Sequence, residues 1–129
     1  MTEHPNAVMV RRSFEAWNSG DMDVIREYVT DDAVYHFAGN NAMSGTYRGR
    51  DAVMDALARA SQGWTSHTDV ESALVSNDHS MVFHHHTGEH EGTPYDMVPV
   101  IAMKLDADGK VTEAWFLAND QRAWDQFWS

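Results

Sequence analysis

Residues 14–37 read FEAWNSGDMDVIREYVTDDAVYHF, and residues 45–53 read GTYRGRDAV. The first stretch opens inside a helix that Ser19-Gly20 ends, because glycine tolerates the left-handed conformation a helix terminus needs. Asp21 directly behind it caps a second short helix with Val24, Ile25 and Tyr28 on its apolar face. Thr30-Asp31-Asp32 stops that helix, and Ala33 to Phe37 follows as a strand. The Gly-flanked turn of residues 45–49 then delivers the chain into a third helix at Asp51.

Working outward, helix one spans Pro5 to Asn18. Val8, Phe14 and Trp17, with Met9 and Val10 nearby, recur at the spacing of one helical face. Pro5 suits the first turn. Helix three runs to about Ala60, with Val53, Met54 and Leu57 inward and Gly63 as its stop. From Trp64 the hydrophobic period changes to that of strands. His67–Ser76, His79–Gly88, Tyr95–Leu105 and Lys110–Leu117 form four of them, joined by turn residues at 77–78, 91–94 and 106–109. Such short connections make antiparallel neighbours. Asp120 to Trp128 adds a last helical turn that buries Trp124, Phe127 and Trp128. Helices followed by a run of strands make an α+β layout. A curved sheet wrapped around three helices leaves a cavity at its open end.

The chain has 129 residues, enough for one domain with a real core. Five Trp, five Phe, four Tyr and a 43% hydrophobic fraction place it among folded proteins rather than disordered ones. No apolar run approaches the roughly 20 residues that cross a bilayer. The stretch MTEHPNAVMVRR lacks the pattern of an export signal, so a cytoplasmic location is expected. Cysteine is absent from the sequence, which excludes disulfide and thiolate chemistry. A formal net charge of −11 repels phosphate backbones and anionic lipids, so neither nucleic acid nor membrane is an expected partner.

The WNSGD junction (17–21), the DDAVYHF strand (31–37), GTYRGRDAV (45–53), DGKVTEAW (108–115) and DQRAWDQFW (120–128) occur in an order that resembles the NTF2-like, SnoaL-like family. The resemblance covers almost the whole chain. It implies a cone in which three N-terminal helices pack into a curved, mixed, mostly antiparallel sheet. It also implies a pocket for a small molecule and a homodimer paired through the sheet. Ketosteroid isomerases, limonene-type epoxide hydrolases, scytalone-type dehydratases and polyketide cyclases belong to that family, as do non-catalytic members. Fold alone does not choose among them.

The residues at the family's chemical positions differ from its best-known patterns. Where isomerases place a Tyr, a carboxylate base and a carboxylic acid, this chain has Ser13, Phe37 and Ile101; a one-residue slip brings His36 to the base position. Where the epoxide hydrolases place an Arg and two Asp, it has Val82, His84 and Leu117. Chemistry is therefore sought in the HHH run at 84–86. Strand alternation sends His84 and His86 to one face and His85 to the other. Two desolvated imidazoles remain neutral and able to accept protons.

The candidate catalytic residues are accordingly His84, His86, His36 and Asp120. The last could orient a pocket histidine or simply cap the final helix. Trp17, Tyr35, Phe37, Trp64, Tyr95, Met97, Ile101, Trp115 and Leu117 are the candidate lining for a small apolar molecule. Alternation leaves open which face of strand one lines the cavity. HHHTGEHE imitates part of a metal-binding His-x-His…Glu motif. However, its distal half nears a hairpin tip, and no metal or other cofactor is expected. The leading functional expectation is a cofactor-independent acid–base enzyme acting on a polyketide-, terpenoid- or steroid-like substrate. The alternative is a non-catalytic binding or accessory protein.

Overall fold

The computed structural model describes residues 3–61, 64–90 and 92–128, without the side chains of Trp64, Thr65 and His90. Gly63 and Glu91, assigned above to a helix stop and a turn, lie outside them. The element order is α1 (Pro5–Ser19), α2 (Met22–Glu27), β1 (Val29–Phe37), β2 (Gly45–Arg48), α3 (Arg50–Ala60) and β3 (Trp64–Val75). Then come β4 (His79–His90), β5 (Thr93–Met97), β6 (Val100–Leu105), β7 (Val111–Leu117) and α4 (Gln121–Phe127).

The helix signals act as the residue types demand. Gly20 takes the left-handed conformation at φ 77° and its N–H closes α1 onto Ala16 and Trp17 carbonyls. Asp21 caps α2 by accepting from Val24 N at 3.4 Å. Strand β1 begins at Val29, four residues before the position expected from the TDD run. Val29 is buried and pairs with Val111, while Arg50 donates to its carbonyl and bridges Asp31 at 2.7 Å. These tertiary partners hold extended a segment whose local sequence reads as a turn.

The sheet is a mixed, curved and unclosed one of seven strands, in the order β2-β1-β7-β6-β4-β3, with β5 also on β4. β1 and β7 run parallel and every other pair is antiparallel. Register shifts in β1–β7, β3–β4 and β6–β7 are the sites where such a sheet bends. Two expectations are corrected. GTYR is a strand, not only a turn; it is a short, mostly exposed edge with no apolar alternation to announce it. The segment expected as one strand from Tyr95 to Leu105 is two, broken at Val98-Pro99 because proline cannot donate to a ladder. β5 pairs with the far half of β4 and β6 with its near half, and His84 N donates to Pro99 O across the break at 3.2 Å.

The helices pack into the concave face, with α1 against β3 and α3 against β1. The α+β cone has its core between Met9, Val10, Val53, Ala56 and Leu57 of the helices and Val29, Val82, Val111 and Ala114 of the sheet. Helix α4 folds over the open end. Its Asp125 accepts from Asn40 N (3.0 Å), Asn41 Nδ2 (2.9 Å) and Gln121 Nε2 (2.9 Å). Gly39, at φ 94°, holds a conformation that L side chains rarely adopt, and the side chains of Gln121 and Asp125 lie against it.

Candidate functional site

A cavity of about 150 Å³ lies between the helices and the concave face. Helix α1 supplies Met9, Val10, Ser13, Phe14 and Trp17, and α2 contributes Ile25 and Tyr28. The sheet contributes Tyr35, Phe37, His84, His86, Ile101, Met103 and Phe116, and Trp124 and Trp128 close the wall from α4. Among the described residues no Asp, Glu, Lys or Arg lines the cavity. An interior so apolar leaves any polar atom facing it dependent on a ligand or on its neighbours.

Strand alternation fixes the two histidines. Val82, His84 and His86 point inward from β4 and all are buried, the two histidines 5% exposed each. His84 stands 5.0 Å from the ring of Phe14 and 6.0 Å from that of His86, measured between centroids. Both of its ring nitrogens are buried and have no hydrogen-bond partner among the described residues. Burial holds its pKa down, from 6.5 to about 4. For His86 the fall is to about 3, caused first by burial and then by the nearby His84 and His85. Both imidazoles are neutral near pH 7, so each carries one N–H and one acceptor nitrogen.

Tyr95 meets His86 edge-on at 4.8 Å and packs on Phe127 and Trp124, behind the cavity wall rather than in it. Burial raises the phenols of Tyr35 and Tyr95 well above their ordinary range, so both are protonated hydroxyls.

Of the predicted site residues, the structure brings His84, His86, Trp17, Tyr35, Phe37 and Ile101 to one cavity. It does not bring His36, Asp120, Tyr95, Met97, Trp115 or Leu117 there. His36 points out of the cone, where its Nε2 donates to Glu113 at 2.7 Å and Thr46 lies 3.1 Å from its Nδ1. Trp115 stacks on His36 at 5.5 Å on that same outer face, and Lys104 Nζ lies 5.8 Å from the centroid of the Trp115 ring. Leu117 is 42% exposed.

The reason is register. β1 and β7 pair Tyr35 with Ala114 and Phe37 with Phe116, so those four face inward and His36, Trp115 and Leu117 face outward. A shift of one residue exchanges the two sets. Asp120 is the N-cap of α4, accepting from Ala123 N at 3.1 Å. Met97 shares a face with His86 and packs against the core without lining the cavity. The Trp64 side chain lies outside the described residues.

Sequence reasoning passed over Phe14, Tyr28 and Thr68 as lining residues. The first two are read from the sequence only as members of the apolar faces of helices one and two. Thr68 carried no signal, since its burial comes from Asn18, which receives its N–H at 2.8 Å. His85 faces the outer surface and donates to Asp96 at 2.6 Å, an ion-pairing contact that raises its pKa. The three consecutive histidines therefore do not converge. Among the described residues no group of three or more His, Asp or Glu is placed to hold a metal ion, and no helix is long and apolar enough to cross a membrane.

Residues 10–114 match the model of a SnoaL-like domain. The chain is 26% identical over 133 residues to the uncharacterized protein Rv0034 of Mycobacterium tuberculosis, with 100% of each covered. Among solved structures, Bal32a from a soil-derived mobile gene cassette is 31% identical at a TM-score of 0.88, covering 96% of each chain. An NTF2-like protein of unknown function from Burkholderia pseudomallei K96243 superposes at 0.87 with 14% identity, over 98% of this chain and 99% of that one. TerC, co-crystallized with polyporic acid, superposes at 0.83 with 18% identity, over 96% and 98%.

Proposed function

Because the chain belongs to the SnoaL-like family and has the NTF2-like cone, we propose that it is a cytoplasmic, cofactor-independent acid–base enzyme. Its substrate is an apolar small molecule of polyketide, terpenoid or steroid type, and the reaction an isomerisation, cyclisation, dehydration or hydrolysis. One observation carries the reading: a buried imidazole, with both nitrogens unpartnered among the described residues, opens on an apolar cavity. Leaving such a group unpaired costs roughly 1–3 kcal/mol, which packing alone does not require of a site where Phe or Leu would fit. TerC, co-crystallized with polyporic acid, supports the reading that a protein of this fold takes a small organic molecule.

In the proposed step, the acceptor nitrogen of His84 removes a proton from an acidic C–H or O–H of the substrate, and the resulting imidazolium returns it at another position. Burial makes the free imidazole a weak base. A negative centre developing beside it stabilises its charged form and restores basicity as the proton moves. His86, 6.0 Å away, is the second group able to carry a proton, and the hydroxyls of Tyr35 and Ser13 are among the donors that line the same space. His36 and Asp120 have no part in the step.

The test is deuterium exchange, read by NMR, at the acidic C–H of a cyclic ketone that binds the cavity. The wild type should accelerate exchange, and His84→Gln should lose about 10²-fold or more of that acceleration. Unchanged exchange in His84→Gln would remove His84 from the mechanism. No acceleration by the wild type would favour the second reading, a non-catalytic binder, for which the uncharged cavity wall speaks.

We further propose a homodimer through the outer sheet face. Leu74 and Met81 sit opposite each other there at 64% and 40% exposure, with Phe83 and Leu117 two residues further along on the same face at 36% and 42%. Large apolar side chains gathered on one sheet face are characteristic of a covered surface.

A further inference from the structure

Among the described residues His84 is a buried polar side chain that lines the cavity without a hydrogen-bond partner, and none of the described lining residues is Asp, Glu, Lys or Arg. We infer that the molecule it recognises is electrically neutral and seats a hydroxyl or carbonyl oxygen on the ring of His84. The inference rests on this cavity being the functional site, but not on any turnover there.

Three observations lead to it. First, a carboxylate or phosphate entering the cavity gives up its hydration and meets no Arg or Lys, and the chain's net charge of −11 opposes its approach. Second, an ammonium group meets no Asp or Glu in the wall, so the overall negative charge draws cations toward the protein without offering one a counter-ion inside. Third, His84 in its neutral form presents one donor and one acceptor nitrogen. A hydroxyl satisfies either nitrogen and a carbonyl satisfies the donor. Phe14 at 5.0 Å from His84, and Phe37 stacked on Phe116 at 4.3 Å, flank this space with flat apolar faces that suit a ring on the ligand. A cavity volume of about 150 Å³ has room for one such ring, as an engineered dry cavity of that size takes benzene.

Four probes on one para-substituted toluene frame separate the possibilities: p-cresol (neutral, one oxygen), p-xylene (neutral, none), p-toluate (anion) and 4-methylbenzylammonium (cation). Titration calorimetry at pH 7.5 should rank p-cresol about 10-fold tighter than p-xylene, since one hydrogen bond to an unpaired buried group is at stake. Both charged probes should bind more weakly than p-xylene. In His84→Phe the preference for p-cresol should vanish while p-xylene binding stays.

On the wild type itself, the 15N resonances of the His84 ring should shift with p-cresol and not with p-xylene, which keeps the test independent of any variant's folding. Tightest binding by p-toluate or the ammonium probe would overturn the inference. So would equal binding of p-cresol and p-xylene, or no binding by any of the four. Selective p-cresol binding without proton exchange at a ketone would leave this recognition standing and refute the enzymatic reading.

Discussion

Replacing His84 by Phe should stabilise the protein at neutral pH and remove part of its sensitivity to acid. At neutral pH the change deletes two buried nitrogens that have no partner among the described residues, and an unmet buried polar atom costs roughly 1–3 kcal/mol. The larger ring opposes this, as overpacking a filled core costs about 1–3 kcal/mol. Here, however, the ring faces about 150 Å³ of open space, so relief outweighs strain and a net gain of about 1 kcal/mol follows.

The acid effect has a definite sign. Burial lowers the His84 pKa from 6.5 to about 4, so between those values the unfolded chain binds more protons than the folded one. Stability contributed by the neutral form is intact above pH 6.5 and is lost as pH falls toward 4. Between pH 7.5 and 5 the loss from this one group is about 2 kcal/mol. His86 adds a further loss that His84→Phe retains. Urea unfolding of wild type and variant at both pH values measures the difference between the two slopes. A variant less stable at pH 7.5, or one losing as much stability as wild type on going to pH 5, would refute the argument. Stabilisation together with lost proton exchange is the pattern of a residue kept for function at a cost in stability.

Two further outcomes follow from particular contacts. Asp120→Ala removes the N-cap acceptor of α4 and should lower stability by about 1 kcal/mol in a thermal melt, with ligand exchange at His84 unaffected; a large loss of exchange would return Asp120 to the site. Phe83→Glu puts a charge on the outer apolar face and should convert a dimer to monomer by light scattering without unfolding the chain. A wild type that is monomeric throughout would end the dimer proposal.

Much of the fold was legible because its signals are local. Gly20 and Asp21 end one helix and cap the next through their own backbone and side-chain geometry, whatever packs around them. The opposed directions of His84 and His85 were equally legible, because strand alternation is a property of the backbone. Pro99 offered a readable break in the Tyr95–Leu105 segment that hydrophobic content obscured. The extended start of β1 was not legible: Val29 is held by Val111 and Arg50, which are distant in sequence.

The sequence by itself therefore determined which residue types could do acid–base work, the order of the helices and of the longer strands but not β2 or the β5–β6 break, and the sharing of one face by His84 and His86. Only the tertiary structure decided which faces enclose the cavity. Alternation says that Tyr35 and His36 point apart, but the parallel register of β1 on β7 is what turns Tyr35 and Phe37 inward and sends His36, Trp115 and Leu117 to the surface. A register is set by packing between strands far apart in the chain, and one residue of slip reverses every side chain. The same holds for the isolation of His84. Its strand places it inside, but the absence of any partner among the described residues is a property of every element packed around it.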